Sequence, residues 1–168
     1  MPEPAARERL QPSLLDRLTD DERERATESR DRRVLSMRRL RECVLRDLTW
    51  LLNTSSLDQT EDLAGFPEVA RSTLNYGLRD VAGTTISKAG LAELEREVKQ
   101  AILRFEPRIL ARTLQVRAVA GEEMSRHALS FEIEGELWAE PVPLRMLLKT
   151  ELDVETGEAT VLDAGETG

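Results

Sequence analysis

"ILRFEPRIL", residues 102–110, divides the chain between a helical pattern and a strand pattern. Pro107 disfavours helical backbone at Glu106, so it predicts that the preceding helix ends there. The proline ring also fixes its own φ, which holds Glu106 and Arg108 in a defined relation. Two interpretations of this charged pair are open: a structural ion pair at a helix–strand junction, or a rigid pair of charges presented to a partner.

Three helices are predicted before this stretch. The first covers residues 34–52, where apolar residues recur at helical spacing, and Asn53 can end it. A short second helix begins at Pro67, and Gly77 can take the left-handed conformation that closes it. The third helix runs from about Ser87, which suits an N-cap, to Arg104. The apolar stripes are Met37, Leu40, Val44, Leu48 and Leu51 in the first helix, and Leu91, Leu94, Val98, Ile102 and Phe105 in the third.

After Arg112 the apolar residues alternate with polar ones, as in half-buried strands. The alternation covers residues 114–118, 129–137 and 144–154, and Leu147 interrupts it once. The turn signal ETGE precedes a last strand through Ala159 and Val161. Helices followed by an antiparallel sheet with one apolar face predict an α+β fold, in which N-terminal helices pack on a small C-terminal sheet.

The N-terminal residues 1–33 contain 17 charged side chains of mixed sign and are expected to be flexible. They include one apolar segment, PSLLDRL, residues 12–18, which predicts a short docking helix. This helix could dock onto a partner or fold back onto its own domain, and the sequence does not distinguish these. Residues 34–162 are expected to form a single domain and residues 163–168 a flexible tail.

The net charge of −8 is concentrated at the C-terminal end, where residues 120–168 carry −9 and the remainder carries +1. An acidic half argues against nucleic acid as a partner, because phosphate contacts need cations. It suits either a basic protein surface or a solvated sheet face. No apolar run approaches the roughly 20 residues that span a bilayer, so no direct membrane insertion is expected. The N-terminus lacks the apolar segment of a secretory signal. The single cysteine, Cys43, cannot form an internal disulfide, and a reducing cytoplasm fits best.

The residues for most catalytic chemistry are missing. No Gly-rich phosphate loop occurs, His127 is the only histidine, and Cys43 is the only cysteine, so the usual zinc site cannot form. Cys43 lies at helical spacing among apolar residues and is expected to be a buried or half-buried thiol. Three glutamates at 132, 134 and 136 share one sheet face and predict a solvent-facing ladder, with a metal site as the lesser alternative. No catalytic residue, cofactor or metal is predicted.

Glycoside hydrolysis needs two carboxyl groups about 5–10 Å apart in a sugar-binding cleft, one of them protonated. Glu106 is a candidate for one of them, but Arg108 would keep it ionised. Aromatic residues, which usually line sugar clefts, make up 4% of the chain. A peptidoglycan-cleaving hydrolase that uses Glu106 is therefore the functional hypothesis that the sequence supports least.

Several blocks of sequence, in one order, carry a resemblance to a known family. The blocks are PSLLDRL (12–18), RDLTWLLNT (46–54), FPEVARSTLNYGLRDVAG (66–83), AILRFEPRI (101–109), LSFEIEGELW (129–138) and LLKTELDVETGEATV (147–161). With these blocks the chain resembles TssE, the small baseplate subunit of bacterial type VI secretion systems, and the lysozyme-like baseplate wedge subunits of contractile phage tails. The N-terminal leucine segment favours the secretion-system branch, and a phage-tail wedge subunit is the alternative.

The resemblance implies a structural protein rather than an enzyme, located in the cytoplasm as part of a membrane-docked baseplate. It implies contacts with the wedge subunits TssF and TssG through Glu106, Pro107 and Arg108, and contacts with other baseplate proteins and sheath subunits. It also implies a sheet like the interlocking "handshake" of sheath subunits, which links the wedge to the first sheath ring. The unpaired edge of the C-terminal strands, residues 143–162, is expected to take part.

Overall fold

The computed structural model describes residues 13–18, 37–82, 88–119, 128–138 and 143–165. Within these residues the chain forms helices first and strands afterwards. The helices α1 to α4 span Leu14–Leu18, Met37–Leu52, Pro67–Arg71 and Lys88–Phe105, with 3-10 turns at Leu57–Gln59 and Thr73–Asn75. The strands β1 to β4 span Gln115–Val119, Ala128–Leu137, Leu144–Asp153 and Ala159–Asp163.

The four strands form one antiparallel sheet in the order β1-β2-β3-β4. At its centre, Phe131 of β2 lies opposite Ala118 of β1 and Thr150 of β3. Alternate residues of β2 are buried, as expected for a strand with one face against the core. The predicted α+β fold, with helices before a C-terminal antiparallel sheet, is confirmed.

The core lies between the sheet and the two long helices, α2 and α4. The apolar positions predicted at Leu40–Leu51 of α2 and Leu94–Ile102 of α4 are buried, with Leu91 and Phe105 partly buried beside them. Each fully buried leucine, isoleucine or valine side chain stabilises the fold by about 1.5–3 kcal/mol. The sheet residues that meet them include Phe131, Ile133, Met146, Leu148 and Leu152.

The junction between α4 and the sheet follows from Pro107. Helix α4 ends at Phe105, one residue beyond the predicted Arg104 and before Pro107, as expected from the steric restriction before a proline. The chain then runs beside the end of β2, where Ile109 forms an isolated antiparallel bridge with Leu137.

Asn53 ends α2 as predicted and also connects that helix to the last strand. Its side-chain amide donates to the Ala159 carbonyl at 2.8 Å, and its side-chain oxygen accepts from the Ala159 N–H at 2.9 Å. The outer strand β4 is thereby fixed to the helical layer as well as to β3.

The prediction that Gly77 closes the second helix is wrong. Helix α3 ends at Arg71, and a 3-10 turn separates it from Gly77. Gly77 has φ +122°, and a Cβ atom there would lie 2.1 Å from the Thr54 carbonyl oxygen. The same oxygen accepts the Leu78 N–H at 2.8 Å, so glycine is needed for a close backbone approach.

Some predictions concern residues outside the described part of the chain. These are the flexible character of residues 1–12, 19–33 and 166–168, the N-cap at Ser87 and the position of His127. Within the described part, no helix combines the length and the apolar character that crossing a membrane requires.

Candidate functional site

Glu106 and Arg108 form an ion pair at the junction between α4 and the sheet. The Arg108 Nε donates to Glu106 Oε1 at 2.7 Å, and the Arg108 Nη2 donates to Glu106 Oε2. The Arg108 backbone N–H donates to the same Oε1 at 3.1 Å. Pro107 joins the two residues, and Glu106 is only 3% exposed. This geometry is that of an internal, bidentate pair, which orients the guanidinium rigidly.

Arg108 also connects residues 106–108, named here the ionic triplet, to α2. Its Nη2 donates to the Asp47 carboxylate at 2.5 Å, and its Nη1 lies 3.8 Å from Asp16 Oδ2 of α1. Burial alone would lower the pKa of Arg108, but hydrogen bonds and charges of Glu106, followed by those of Asp47, raise it above its ordinary value. The Nη1 atom is buried and donates no hydrogen bond within the described residues. Arg108 is therefore the centre of a cluster of carboxylates from α1, from α2 and from the residue that follows α4.

Asp16 fixes the short helix α1 to this cluster. The side chain of Asp16 is 5% exposed, and its Oδ1 accepts from Arg46 Nη2 at 2.8 Å. Asp16 and Ser13 also form a capping box: the Ser13 backbone N–H donates to Asp16 Oδ2 at 3.2 Å, and the Asp16 N–H donates to the Ser13 hydroxyl at 3.3 Å. The Ser13 hydroxyl in turn donates to Asp16 Oδ2 at 2.6 Å. Burial opposes ionisation, but hydrogen bonds from Ser13, Arg46 and Cys43 lower the pKa of Asp16 to about 2.

Arg46 and Cys43 complete the outer face of α2. Arg46 Nε donates to Asp47 Oδ1 at 2.9 Å, and its guanidinium carbon lies 5.0 Å from the ring centroid of Trp50. Cys43 is buried, which confirms the expectation from its helical spacing. Burial, together with the hydrogen bond to Asp16 and the charge of that carboxylate, raises the pKa of the Cys43 thiol to about 11. The thiol is therefore protonated and unreactive at neutral pH.

Tyr76, which belongs to one of the resembling blocks, packs against the same junction. Its hydroxyl donates to the Asp47 backbone carbonyl at 3.3 Å, and its ring meets Phe105 edge-on with centroids 5.1 Å apart. Burial, followed by the charges of Asp47 and Glu106, raises the pKa of Tyr76. The tyrosine thus supports both the end of α4 and the helix that carries Asp47.

Large apolar side chains that are exposed to solvent surround this ionic cluster. Leu14 and Leu18 of α1 are 70% and 74% exposed, and Trp50 is 50% exposed beneath Arg46. Trp138 is 49% exposed, and its backbone N–H donates to the Arg108 carbonyl at 2.8 Å. Surfaces that combine arginine, tryptophan and leucine in this way are typical of protein–protein contacts.

The predicted triplet is therefore brought together, and the structure adds three residues that the sequence did not indicate: Asp16, Arg46 and Asp47. Asp47 and Arg46 are far from Arg108 in sequence, and no local pattern relates them. The Ser13–Asp16 spacing of a capping box was a usable signal for Asp16. That Glu106, Pro107 and Arg108 bind a partner stays a prediction.

The acidic face of β2 has the predicted ladder form. Glu132 lies in register between Arg117 of β1 and Lys149 of β3, and Glu134 forms an ion pair with Arg145 of β3. Opposite charges across neighbouring strands stabilise a solvent-facing sheet surface modestly. In the described ranges, no group of three or more His, Cys, Asp or Glu side chains is placed to hold a metal ion.

The geometry around Glu106 does not present a proton to a substrate. Both carboxylate oxygens accept hydrogen bonds from Arg108, whereas a general acid must hold a proton and point it at the leaving group. Two surface recesses lie elsewhere, between α2, the Leu78 segment and β3, and residues 106–108 line neither of them.

Comparisons with known proteins agree with this architecture. The family described as "Baseplate wedge protein gp25" matches residues 38–142, a range that contains α2 from Arg38 onwards, the ionic triplet and β2. A solved structure from Geobacter sulfurreducens, described as a candidate tail lysozyme, superimposes with a TM-score of 0.50 at 22% identity. The match covers 72% of this chain and 95% of that one, and it is a likeness of fold. No significant match was found among curated proteins.

Proposed function

The chain belongs to the baseplate wedge protein gp25 family, and on that basis we propose that it is a structural baseplate subunit of a type VI secretion machine. In this role it links the wedge subunits TssF and TssG to the first sheath ring and supports sheath assembly in the cytoplasm. The observation that carries the proposal is the family match over residues 38–142, which includes the ionic triplet. The leucine segment at residues 12–18 favours the secretion system over a phage tail.

Pro107 and Arg108 are the members of the triplet that a partner can reach. Pro107 is exposed, and the side chain of Arg108 is 18% exposed, whereas that of Glu106 is 3% exposed. We assign direct contact to Pro107 and Arg108 and a positioning role to Glu106. A guanidinium already held by two carboxylates loses little further side-chain freedom on binding, which favours association.

The sheet edge supports the second contact, towards sheath subunits. Within the described residues, β4 is hydrogen-bonded to β3 on one side and has no strand on the other. Leu162 of β4 is 56% exposed. Asn53 already bonds the backbone groups of Ala159, at the start of this edge. Beyond Ala159 the edge strand can accept a strand from a neighbouring chain, and the backbone hydrogen bonds then supply affinity.

Co-purification with TssF and TssG from the same genome tests the proposal. Wild-type protein should be captured. Arg108→Lys keeps the charge but cannot form two parallel bonds to Glu106 while reaching Asp47, so capture should fall roughly tenfold. Arg117→Lys, a change at an exposed arginine on β1, is the matched control and should bind as wild type does.

Absence of wild-type capture, under conditions in which the wedge itself assembles, would refute the baseplate role. The same preparations should be incubated with peptidoglycan. Glycan cleavage that disappears in Glu106→Gln would instead establish the hydrolase alternative, because that substitution removes the carboxylate while preserving its shape.

A further inference from the structure

Helix α1 is oriented opposite to an ordinary amphipathic helix. Its acidic residue, Asp16, faces the protein with a 5% exposed side chain, while Leu14 and Leu18 are 70% and 74% exposed. A surface helix normally buries its apolar side. Here, polar contacts fix the helix and its leucines face outwards.

The attachment of α1 is specific enough to determine this orientation. Asp16 accepts from Arg46 at 2.8 Å and lies 3.8 Å from Arg108, and Ser13 holds the same carboxylate through the capping box. The thiol of Cys43 also donates to Asp16. Because these contacts all involve one carboxylate, they fix which side of α1 points to solvent.

Arg46 links α1 to a third exposed apolar side chain. It contacts Asp16 on one side and covers the half-exposed ring of Trp50 on the other. Leu14, Leu18 and Trp50 are named here the α1 surface. Asp16 also lies 3.8 Å from Arg108, one of the residues assigned to partner contact.

The charged groups beneath the α1 surface already contact one another. Arg46 and Arg108 contact Asp16, Asp47 and Glu106, so two cations meet three carboxylates and the cluster keeps a net charge of −1. An acidic partner surface would be repelled here, and a basic one would have to compete with the two arginines for the same carboxylates. The complementary surface is an uncharged, apolar groove that receives the leucines, as in helix-in-groove recognition.

We propose that the α1 surface docks into an apolar groove of the wedge subunits, next to the contact made by Arg108; this inference rests on the proposed baseplate function. Asp16 is a positioning residue, since it orients the leucines and does not itself meet the partner. Docking through apolar groups depends weakly on ionic strength, in contrast to docking through exposed charges.

Substitution of both exposed leucines tests the proposal. Leu14→Ser combined with Leu18→Ser should reduce capture of the TssF–TssG wedge roughly tenfold or more, because the two leucines are the apolar anchors of a helix-in-groove contact and their burial supplies its affinity. The melting temperature should be unchanged, since both side chains are exposed in the free protein. Leu74→Ser, at a leucine that is 69% exposed in a 3-10 turn, is the matched control and should bind normally.

A second variant tests the positioning role. Asp16→Ala leaves both leucines in place but removes the contacts that orient them, so capture should fall several-fold. Amide hydrogen exchange at residues 14–18 should become faster in this variant. Normal capture together with fast exchange would overturn the claim that orientation matters.

The remaining outcomes separate this proposal from the one on which it rests. If the wedge captures wild type and the double leucine variant equally, the α1 surface is not a docking surface, while the baseplate role stands. If wild type is not captured, both proposals fail. If wild type forms a dimer that the double variant cannot form, and wedge capture is unaffected, the occupant is a second copy of this chain, which also overturns the proposal.

Discussion

The inner face of α2 packs through Val44 and Leu48 against α4 and the sheet, whereas its outer face carries Arg46 and Asp47 into the ionic cluster. Burial of apolar groups holds the inner face, and this force has no directional requirement. The outer face depends on hydrogen bonds between charged groups, whose strength varies with geometry and burial. One helix therefore contributes both to stability and to the candidate contact site, on opposite sides.

The two faces of α2 tolerate different substitutions. In the core, a smaller apolar side chain costs stability in proportion to the lost burial and the cavity that remains. In the cluster, removal of one charge leaves its partner buried and uncompensated, which costs more than removal of both. Thermodynamic cycles can therefore distinguish the two faces.

Disruption of the Glu106–Arg108 pair should reduce the stability of the protein most. Arg108→Met should lower the free energy of unfolding by about 3–5 kcal/mol, because the nearly buried Glu106 loses its counter-charge. Glu106→Gln in the same chain should restore most of that loss. Urea unfolding of wild type, both single variants and the double variant measures the coupling, and additive effects would show that the pair does not act as a unit.

The contribution of Asp16 to the free energy of unfolding should depend on pH. Its pKa of about 2 lies below the ordinary 3.8, so ionised Asp16 stabilises the fold above about pH 4, and this contribution disappears as the pH falls towards 2. The shift corresponds to about 2 kcal/mol. Asp16→Asn should therefore be less stable than wild type at pH 6 and approach it near pH 2.5.

Urea titrations across that range provide the measurement. Glu42→Gln is the control, since Glu42 is half exposed and pairs with Arg38 within one helix. Its stability difference from wild type should be small at every pH. A difference for Asp16→Asn that stays constant with pH would mean that the ion pair of Asp16 with Arg46 does not stabilise the fold.

A substitution at Thr150, on the apolar side of the sheet, should change stability least, and it should increase it. Thr150 is 3% exposed on the core face of β3, and its hydroxyl makes no hydrogen bond within the described residues. Thr150→Val keeps the shape and removes the unsatisfied group, so it should stabilise the protein by about 1 kcal/mol. Thermal unfolding measures the change, with Thr160→Val on exposed β4 as the control. A loss of stability would show that the hydroxyl binds a buried water.

The apolar side of the molecule was predictable because its signals are local. The stripe from Leu40 to Leu51 and the alternation of β2 predicted the two layers, and Pro107 predicted the end of α4. The prediction that Gly77 closes a helix was wrong because glycine is required there by the Thr54 carbonyl, which approaches from a loop distant in sequence. A local turn signal does not show which distant atom a glycine must accommodate.

The ionic side was predictable only in part. Glu106 and Arg108 are two residues apart, so their proximity followed from the proline between them. Asp47 is 61 residues before Arg108, and Asp16 is 30 residues before Arg46. Charged residues occur throughout this chain, and no spacing rule indicates which of them meet in the fold.

The position of Cys43 beneath Asp16 has a practical consequence. It is the only cysteine of the chain, and its thiol is buried with a pKa of about 11 while α1 is in place. Release of α1 removes Asp16 from the thiol, which increases both access and the thiolate fraction. The rate at which a thiol-specific dye labels the native protein therefore reports the opening of α1 directly, without an engineered probe.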